Sequence, residues 1–149
     1  MENLKPQPTP KAEWYEVVTQ AQSIAGYQFN EDIQSYLVLT LDHFTKNQSL
    51  SNSIIAMDFL ENNSGNSINN IKNLKLIGDE CLILSGLFPN HAFEKNVSLD
   101  YFISIGQECY FLISKNRQKT PLNSLLFRSL SQNFIGLMDI LHHIRLLKP

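Results

Sequence analysis

The stretch from Ile71 to Ile113 constrains the fold more than any other part of the chain. It contains two long apolar segments, separated by Pro89 and a short polar break. Within both segments the apolar residues recur every three or four positions, which is the spacing of a helix rather than of a strand. Pro89 ends the first segment, because the residue before a proline is displaced from the helical region. We therefore expect a pair of apolar helices at the centre of the protein.

The first of these segments contains Gly78 and Gly86. Each glycine destabilises a helix by about 1 kcal/mol relative to alanine. A helix that carries two glycines usually gains the close approach of a neighbouring backbone. We therefore expect another helix to pack tightly against this one.

Further helices are predicted around the central pair, with no internal repeat and no strand alternation. Gly26 is a natural stop for the first helix, and Thr120 followed by Pro121 is a natural start for the last. In chain order the predicted ranges are 13–25, 31–44, 52–60, 67–88, 98–113 and 121–147. The sequence predicts an all-α, single-domain bundle of five to six helices over residues 13–149. Three prolines near the start predict a flexible arm over residues 1–12.

The bulk properties exclude several classes of protein. A net charge of −2 is too small to indicate a nucleic-acid partner. The longest apolar runs are far shorter than the ~20 residues of a membrane span, and the N-terminus lacks the features of an export signal. Cys81 and Cys109 each lie in an apolar helical pattern, as reduced structural thiols do. We predict a cytoplasmic protein without a membrane span or a nucleic-acid partner.

No complete catalytic, metal or cofactor motif occurs in the sequence. Asp139 and His142 have the spacing of a bundle metal site, but such a site needs the motif twice. We therefore expect His142 and His143 to be surface or boundary residues. A reactive cysteine needs a cationic setting, whereas Cys81 follows two acids, Asp79 and Glu80. No catalytic residue, metal ligand or cofactor is predicted.

Asp79 is the most unusual polar residue of the central pair, because it lies within an apolar helix. Our preferred interpretation is structural: its carboxylate bonds to a helix end, a tyrosine or a buried arginine such as Arg128 or Arg145. The alternative is a pocket for a small hydrophobic ligand between the fourth and fifth predicted helices. The residues that would line this pocket are Asp79, Tyr101, Glu108 and Tyr110.

Three motifs of the central stretch resemble those of a family of small, uncharacterised, all-helical bacterial proteins. The family carries Gly-Asp-x-x-Leu, then Gly-(Leu/Phe)-Phe, then Tyr-(Phe/Tyr)-x-x-x-Gly-x-x-x-Tyr. The matching residues here are Gly78 to Leu82, Gly86 to Phe88 and Tyr101 to Tyr110. The resemblance covers roughly the central quarter of the chain and implies a bacterial, helical protein. It implies no activity and no functional residue.

Two functional hypotheses follow, with a third alternative that the residues neither favour nor oppose. The first is a non-enzymatic protein that acts through protein–protein contact, as a homodimer or with another protein. It rests on two helices that are apolar on nearly all sides. A chain of 149 residues need not be long enough to cover both helices, and a second subunit would then supply the missing cover. The second is a small-molecule-binding or enzymatic bundle that uses the pocket described above. The third is delivery into another cell by a route that needs no N-terminal signal.

Overall fold

The computed structural model describes residues 9–47, 71–90, 98–115 and 123–147. Within these ranges the regular structure is helical throughout and contains no strand, which confirms the all-α bundle. In chain order the helices are α1 (Pro10–Ala25), α2 (Glu31–Asn47), α3 (Ile71–Leu87), α4 (Leu99–Lys115), α5 (Ser124–Gln132) and α6 (Phe134–Leu147). The predicted helix 52–60 lies outside the described residues. None of the described helices has the length and apolarity needed to cross a membrane.

Helix α1 begins earlier than the sequence analysis placed it. Thr9 caps the helix, with its hydroxyl oxygen accepting a hydrogen bond from the Ala12 amide at 3.1 Å, and Pro10 occupies the first turn. Proline favours that position because its fixed φ is helical and its missing N–H is not needed there. The predicted arm over residues 1–12 is therefore too long at its C-terminal end. As predicted, α1 ends at Gly26, which has a φ of 82°.

Helix α3 is the centre of the bundle. Ten consecutive residues, 77–86, are buried, since α4 packs on one side of α3 and α6 on another. A β-carbon at Gly78 would lie 2.8 Å from the Tyr110 ring of α4, and one at Gly86 would lie 2.5 Å from the Leu141 side chain of α6. The predicted close approach therefore occurs, but side chains rather than backbone occupy the space above these glycines.

The last predicted helix is in fact two helices, α5 and α6, with Asn133 between them. The Asn133 side-chain amide donates to the Ser129 carbonyl at 2.8 Å, and the Asn133 backbone carbonyl accepts from the Leu137 amide at 2.9 Å. Asparagine competes for backbone hydrogen bonds in this way, which favours helix ends over helix interiors. The sequence analysis followed the apolar period across Asn133 and missed the break.

Helices α1 and α2 complete the described bundle. Helix α1 packs against both α2 and α6, and α5 packs mainly against α4. Helices α2 and α3 approach each other much less closely than α3 and α4 do. Side chains therefore make the connection between α2 and α3, and these side chains form the candidate site.

Candidate functional site

The carboxylate of Asp79 receives three donors from three helices. Its Oδ1 accepts hydrogen bonds from the Tyr36 hydroxyl of α2 at 2.5 Å and the Tyr110 hydroxyl of α4 at 2.7 Å. Its Oδ2 lies 2.9 Å from the ammonium of Lys75, one turn earlier on α3. We call these four residues the Asp79 hub. The hub joins α2, α3 and α4 at one buried carboxylate.

The local sequence explains why the hub forms at this position. Gly78 has no side chain, so the Tyr110 ring lies directly against α3 and its hydroxyl reaches the next residue, Asp79. The rings of Tyr36 and Tyr110 meet edge to face, and both contact the ring of Phe127 in α5. Aromatic pairs of this geometry stabilise a fold beyond the area they bury. The hub is therefore supported by a packed aromatic cluster.

Both hub tyrosines are neutral donors at physiological pH. Burial, and then the Asp79 carboxylate, raises the pKa of the Tyr36 and Tyr110 hydroxyls well above the usual value of 10. Hydrogen bonds to a charged acceptor are about twice as strong as neutral ones. Because all three donors are committed to Asp79, the arrangement holds helices together rather than presenting a reactive group.

A cavity of about 480 Å³ adjoins the hub, between α2 and α3. Each helix contributes four residues at positions i, i+3, i+4 and i+7, which is one face of a helix. These residues are Tyr36, Leu39, Thr40 and His43 of α2, and Lys72, Lys75, Leu76 and Asp79 of α3. We call this cavity the α2–α3 groove. Leu39, His43, Lys72 and Lys75 are exposed, so the groove opens to solvent.

Polar and apolar groups are separated along the groove. The hub residues Tyr36, Lys75 and Asp79 form one end, and the leucines Leu39 and Leu76 lie nearer its middle. Ligand cavities of globular proteins have this composition, with apolar walls and a few placed polar groups, and volumes of roughly 300–1,000 Å³. The groove therefore has the size and lining of a small-molecule site.

The four pocket residues predicted from the sequence divide into two pairs. Asp79 and Tyr110 are hydrogen-bonded in the hub. Tyr101 lies about 13 Å along α4 from Tyr110 and on the opposite side of that helix, given 1.5 Å and 100° per residue. Glu108 is exposed. Between α3 and α4, where the pocket was predicted, the Tyr110 ring fills the space beside Gly78.

The structure shows that tyrosines are the hydrogen-bond partners of Asp79. Arg128 and Arg145, the arginines considered as possible partners, are exposed. Sequence reasoning missed Tyr36 as a hub member and missed the groove on α2. The i, i+3, i+7 spacing of Tyr36, Leu39 and His43 is the signal that the sequence offered, since it places the three residues on one face of α2.

The two histidines of α6 contact backbone carbonyls rather than other reactive side chains. The Nε2 atom of His142 lies 3.2 Å from the Ser85 carbonyl, and the Nδ1 atom of His143 lies 2.9 Å from the Asp139 carbonyl. Across the described ranges, no three His, Cys, Asp or Glu side chains converge in a way that suits a metal ion.

Cys81 and Cys109 are both buried, and both are free thiols. Burial raises the pKa of Cys81 well above 9, and that of Cys109 to about 12. Since the thiolate is the nucleophilic form, neither residue is activated at neutral pH. This agrees with the expectation of structural thiols.

Glu80, next to the hub, is buried with 2% of its surface exposed. Its Oε2 atom has no hydrogen-bond partner in the described part of the protein. Burial, with a further contribution from the Asp79 carboxylate, raises the pKa of Glu80 from 4.5 to about 7. Its charge therefore changes near physiological pH.

No known protein family, curated protein or solved structure matches this chain. The resemblance of the central motifs to a bacterial family therefore stays a prediction. Two of its glycines have a physical role here: Gly78 accommodates Tyr110, and a β-carbon at Gly106 would overlap the Phe134 ring.

Proposed function

We propose that the protein is a non-enzymatic binding protein that holds a small organic molecule in the α2–α3 groove. One observation carries this proposal: two facing helix stripes enclose about 480 Å³ beside a buried polar hub. The hub fixes the inner end of the groove, because Asp79 ties α2 to α3 through Tyr36. A binding site that is already formed loses less entropy when its ligand binds.

The polar groups near the groove support binding rather than catalysis. A general base takes a proton from the reacting atom, and a nucleophile attacks it. Asp79 Oδ1 accepts from two tyrosines and Oδ2 from Lys75, and Thr40 donates its hydroxyl to the Tyr36 carbonyl at 2.8 Å. These groups are held in place by the protein, which suits them to orienting a ligand.

A titration monitored by amide chemical shifts tests the proposal. Octanoate, octanamide and octylammonium share one apolar chain and differ in charge. We expect at least one of them to shift the amides of Leu39 and Leu76 saturably. Leu39→Trp should remove these shifts by filling the groove, whereas Leu125→Trp, an equally large change at a 74% exposed position of α5, should not. Shifts that survive Leu39→Trp, or no shifts with any compound, would contradict the proposal.

Contact with another protein chain is the second candidate, in the form of a homodimer. Leu125 and Phe111 are 74% and 39% exposed. They lie at the same end of the α4–α5 pair, because Tyr110 packs against Phe127. Exposed apolar groups favour a protein interface where they form a contiguous patch. The burial of residues 77–86 within a single chain, however, removes the need for a partner to cover α3.

Light scattering of the eluted protein tests the second candidate. A homodimer through this face should dissociate on Leu125→Asp and persist on Ile24→Asp, an exposed position on α1. A wild-type chain that stays monomeric at all micromolar concentrations would rule out the homodimer.

The proposal includes a bacterial origin and a cytoplasmic location. The central motifs support the first, through the family they resemble. Two buried free thiols support the second, because reducing compartments maintain cysteines in this form. Fractionation of the source cell, with detection of the native chain, tests the location.

A further inference from the structure

We infer that the ligand of the α2–α3 groove is a neutral apolar molecule whose polar group, an amide, ketone or hydroxyl oxygen, accepts a hydrogen bond from the Lys75 ammonium. This inference rests on the proposed function and adds the ligand's charge, its polar group and its orientation. The charge and polar group follow from the pairing of Lys75 with Asp79, and the orientation follows from the direction of the two helices.

The charge of Lys75 is already balanced inside the hub. Its ammonium lies 2.9 Å from Asp79 Oδ2 and 5.2 Å from the centre of the Tyr36 ring, whose face attracts a cation. A carboxylate ligand beside this ammonium would also lie near the Asp79 carboxylate, and two like charges at short range repel each other. Such a ligand would in addition lose the water that hydrates its charge. The hub end of the groove therefore favours a neutral group over an anion.

Lys75 can still donate to a bound molecule. An ammonium carries three N–H donors, and the hydrogen bond to Asp79 Oδ2 uses one of them. The Lys75 side chain lines the groove and is 48% exposed, so a molecule in the groove can reach it. A neutral oxygen can accept from this charged donor, whereas an ammonium ligand offers no acceptor. The polar group of the ligand is therefore a neutral oxygen acceptor.

The direction of the two helices places the apolar part of the groove on one side of the hub. Tyr36 bonds to Asp79, and the lining residues continue for two turns after Tyr36 along α2 and for two turns before Asp79 along α3. In a parallel pair these two stretches would lead in opposite directions from the hub, so a single cavity lined by both requires antiparallel helices. Leu39 and Leu76 each lie one turn from the hub, about 4.5 Å along their helices. They therefore flank the same part of the groove.

The two leucines determine the rest of the ligand. Leu39 is 53% exposed, and an apolar chain beside it covers surface that water now contacts. Such burial is favourable in proportion to the area covered. Two helical turns make a groove about 10 Å long, which accommodates a medium-length chain and one polar group. The ligand class is therefore a medium-chain or aromatic amide, ketone or alcohol.

Isothermal titration calorimetry of the full-length chain tests the charge and the polar group. We expect octanamide to bind about tenfold more tightly than octylammonium, which lacks an acceptor, and more tightly than octanoate. The affinity of octanamide should change little as salt is added, because this ligand carries no charge for the salt to screen.

Lys75→Met tests the donor. It keeps the apolar stem of the side chain and removes its charge and its N–H groups. Octanamide should lose about tenfold in affinity, whereas octylammonium should gain affinity, because its ammonium can replace the missing cation beside Asp79. A merely structural role of Lys75 would weaken all the compounds alike.

Lys46→Met is the matched control for this variant. Lys46 pairs with Asp42 at 3.2 Å over the same i, i+4 spacing, at a position of α2 outside the groove lining. Its loss should leave the affinities for octanamide and octylammonium as they are in the wild type.

Intermolecular nuclear Overhauser effects test the orientation in the wild-type chain. They also test the inference if circular dichroism shows that Lys75→Met fails to fold. The C2 protons of octanamide, next to its carbonyl, should be close to the Lys75 side chain. The middle of its chain should be close to the methyl groups of Leu39 and Leu76, with the terminal methyl farthest from Lys75.

The outcomes separate this inference from the proposed function. Octanoate or octylammonium binding as tightly as octanamide, equal weakening of all three compounds by Lys75→Met, or a terminal methyl close to Lys75 would overturn the inferred ligand and leave the groove as a binding site. Failure of all three compounds to bind would overturn the groove as a site and this inference with it.

Discussion

At the scale of single residues, the Asp79 carboxylate combines three donors in a setting with little water. Removal of one tyrosine hydroxyl leaves the other two contacts in place, so each contribution can be measured separately. A hydrogen bond to a charged group contributes about 1.5–3 kcal/mol to stability, compared with about 1 kcal/mol for a neutral one.

Tyr36→Phe and Tyr110→Phe should therefore each lower the free energy of unfolding by about 1.5–3 kcal/mol in urea titrations. Tyr15→Phe is the matched control. Its hydroxyl donates to the Gln34 side chain at 3.2 Å in a solvent-exposed hydrogen bond, so its loss should change stability by less than about 0.5 kcal/mol. Equal losses in all three variants would show that the hub is no stronger than a surface hydrogen bond.

Glu80 predicts a pH dependence of stability. Its folded pKa, about 7, lies above its usual 4.5, so the folded state retains a proton that the unfolded state releases. Its contribution is complete below about pH 4.5 and is lost as the pH rises through about 7. Wild-type stability should therefore fall between pH 5 and pH 8 through this residue.

Glu80→Gln should remove that part of the fall and stabilise the protein at pH 8 by about 1–3 kcal/mol, with little effect at pH 5. Glu16→Gln, at an exposed position of α1, is the control and should leave the pH profile unchanged. Denaturant titrations at the two pH values measure the difference. An identical slope in wild type and Glu80→Gln would contradict the assignment.

The residues of the hub were only partly predictable. A carboxylate in an apolar helix requires a partner, which is why the sequence predicts a helix end, a tyrosine or a buried arginine beside Asp79. The identity of Tyr36 was not, because it lies 43 residues away and depends on how α2 is rotated against α3. The periodicity of one helix carries no information about the rotation of another.

At the scale of helices, packing depends on three glycines in the α3–α4 pair. Gly86 is the most restrictive for a substitution, because the Leu141 β-carbon lies 2.5 Å from where its own β-carbon would be. An atom that close to the backbone of α6 cannot move away without displacing that helix.

Gly86→Ala should therefore destabilise the protein by about 1–3 kcal/mol, although alanine favours a helix by about 1 kcal/mol over glycine. Ser104→Ala, at an exposed position of α4, also raises helix propensity but meets no neighbour and should be neutral or slightly stabilising. Thermal unfolding of both variants gives the comparison. A stabilised Gly86→Ala variant would show that α3 and α6 are less closely packed than described.

The presence of a helix could be predicted wherever the apolar periodicity continued over many residues. The positions of the helix ends could not be predicted in this way. The start of α1 at Pro10 was not predicted, because three nearby prolines indicate an extended arm, although Pro10 occupies the one turn of a helix that accepts proline. The break at Asn133 was missed because Leu130, Phe134 and Leu137 continue the same period across it.

At the scale of the whole molecule, α3 is enclosed by neighbours, whereas α1 buries only Val18, Ala21 and Gln22. Amides that exchange only through global unfolding belong to the most enclosed elements. Hydrogen exchange should be slowest in residues 77–86 and faster by orders of magnitude in α1. Equal protection of α1 and α3 would indicate that the bundle opens only as a single unit.

The apolar character of α3 was predictable from the sequence, whereas the helices that cover it were not. Residues apolar on all sides indicate burial without specifying which chain supplies the cover. Here α4 and α6 of the same chain supply much of it.

The hub also bears on the order in which the chain folds. Asp79 accepts from tyrosines 43 and 31 positions away, so two long loops close at one carboxylate. Closing a loop costs conformational entropy before the contact between its ends contributes any stability. Contacts between residues far apart in the sequence therefore tend to form late in folding. Tyr36 should therefore be absent from the folding nucleus. Its replacement by phenylalanine should accelerate unfolding in stopped-flow measurements while the refolding rate stays nearly constant.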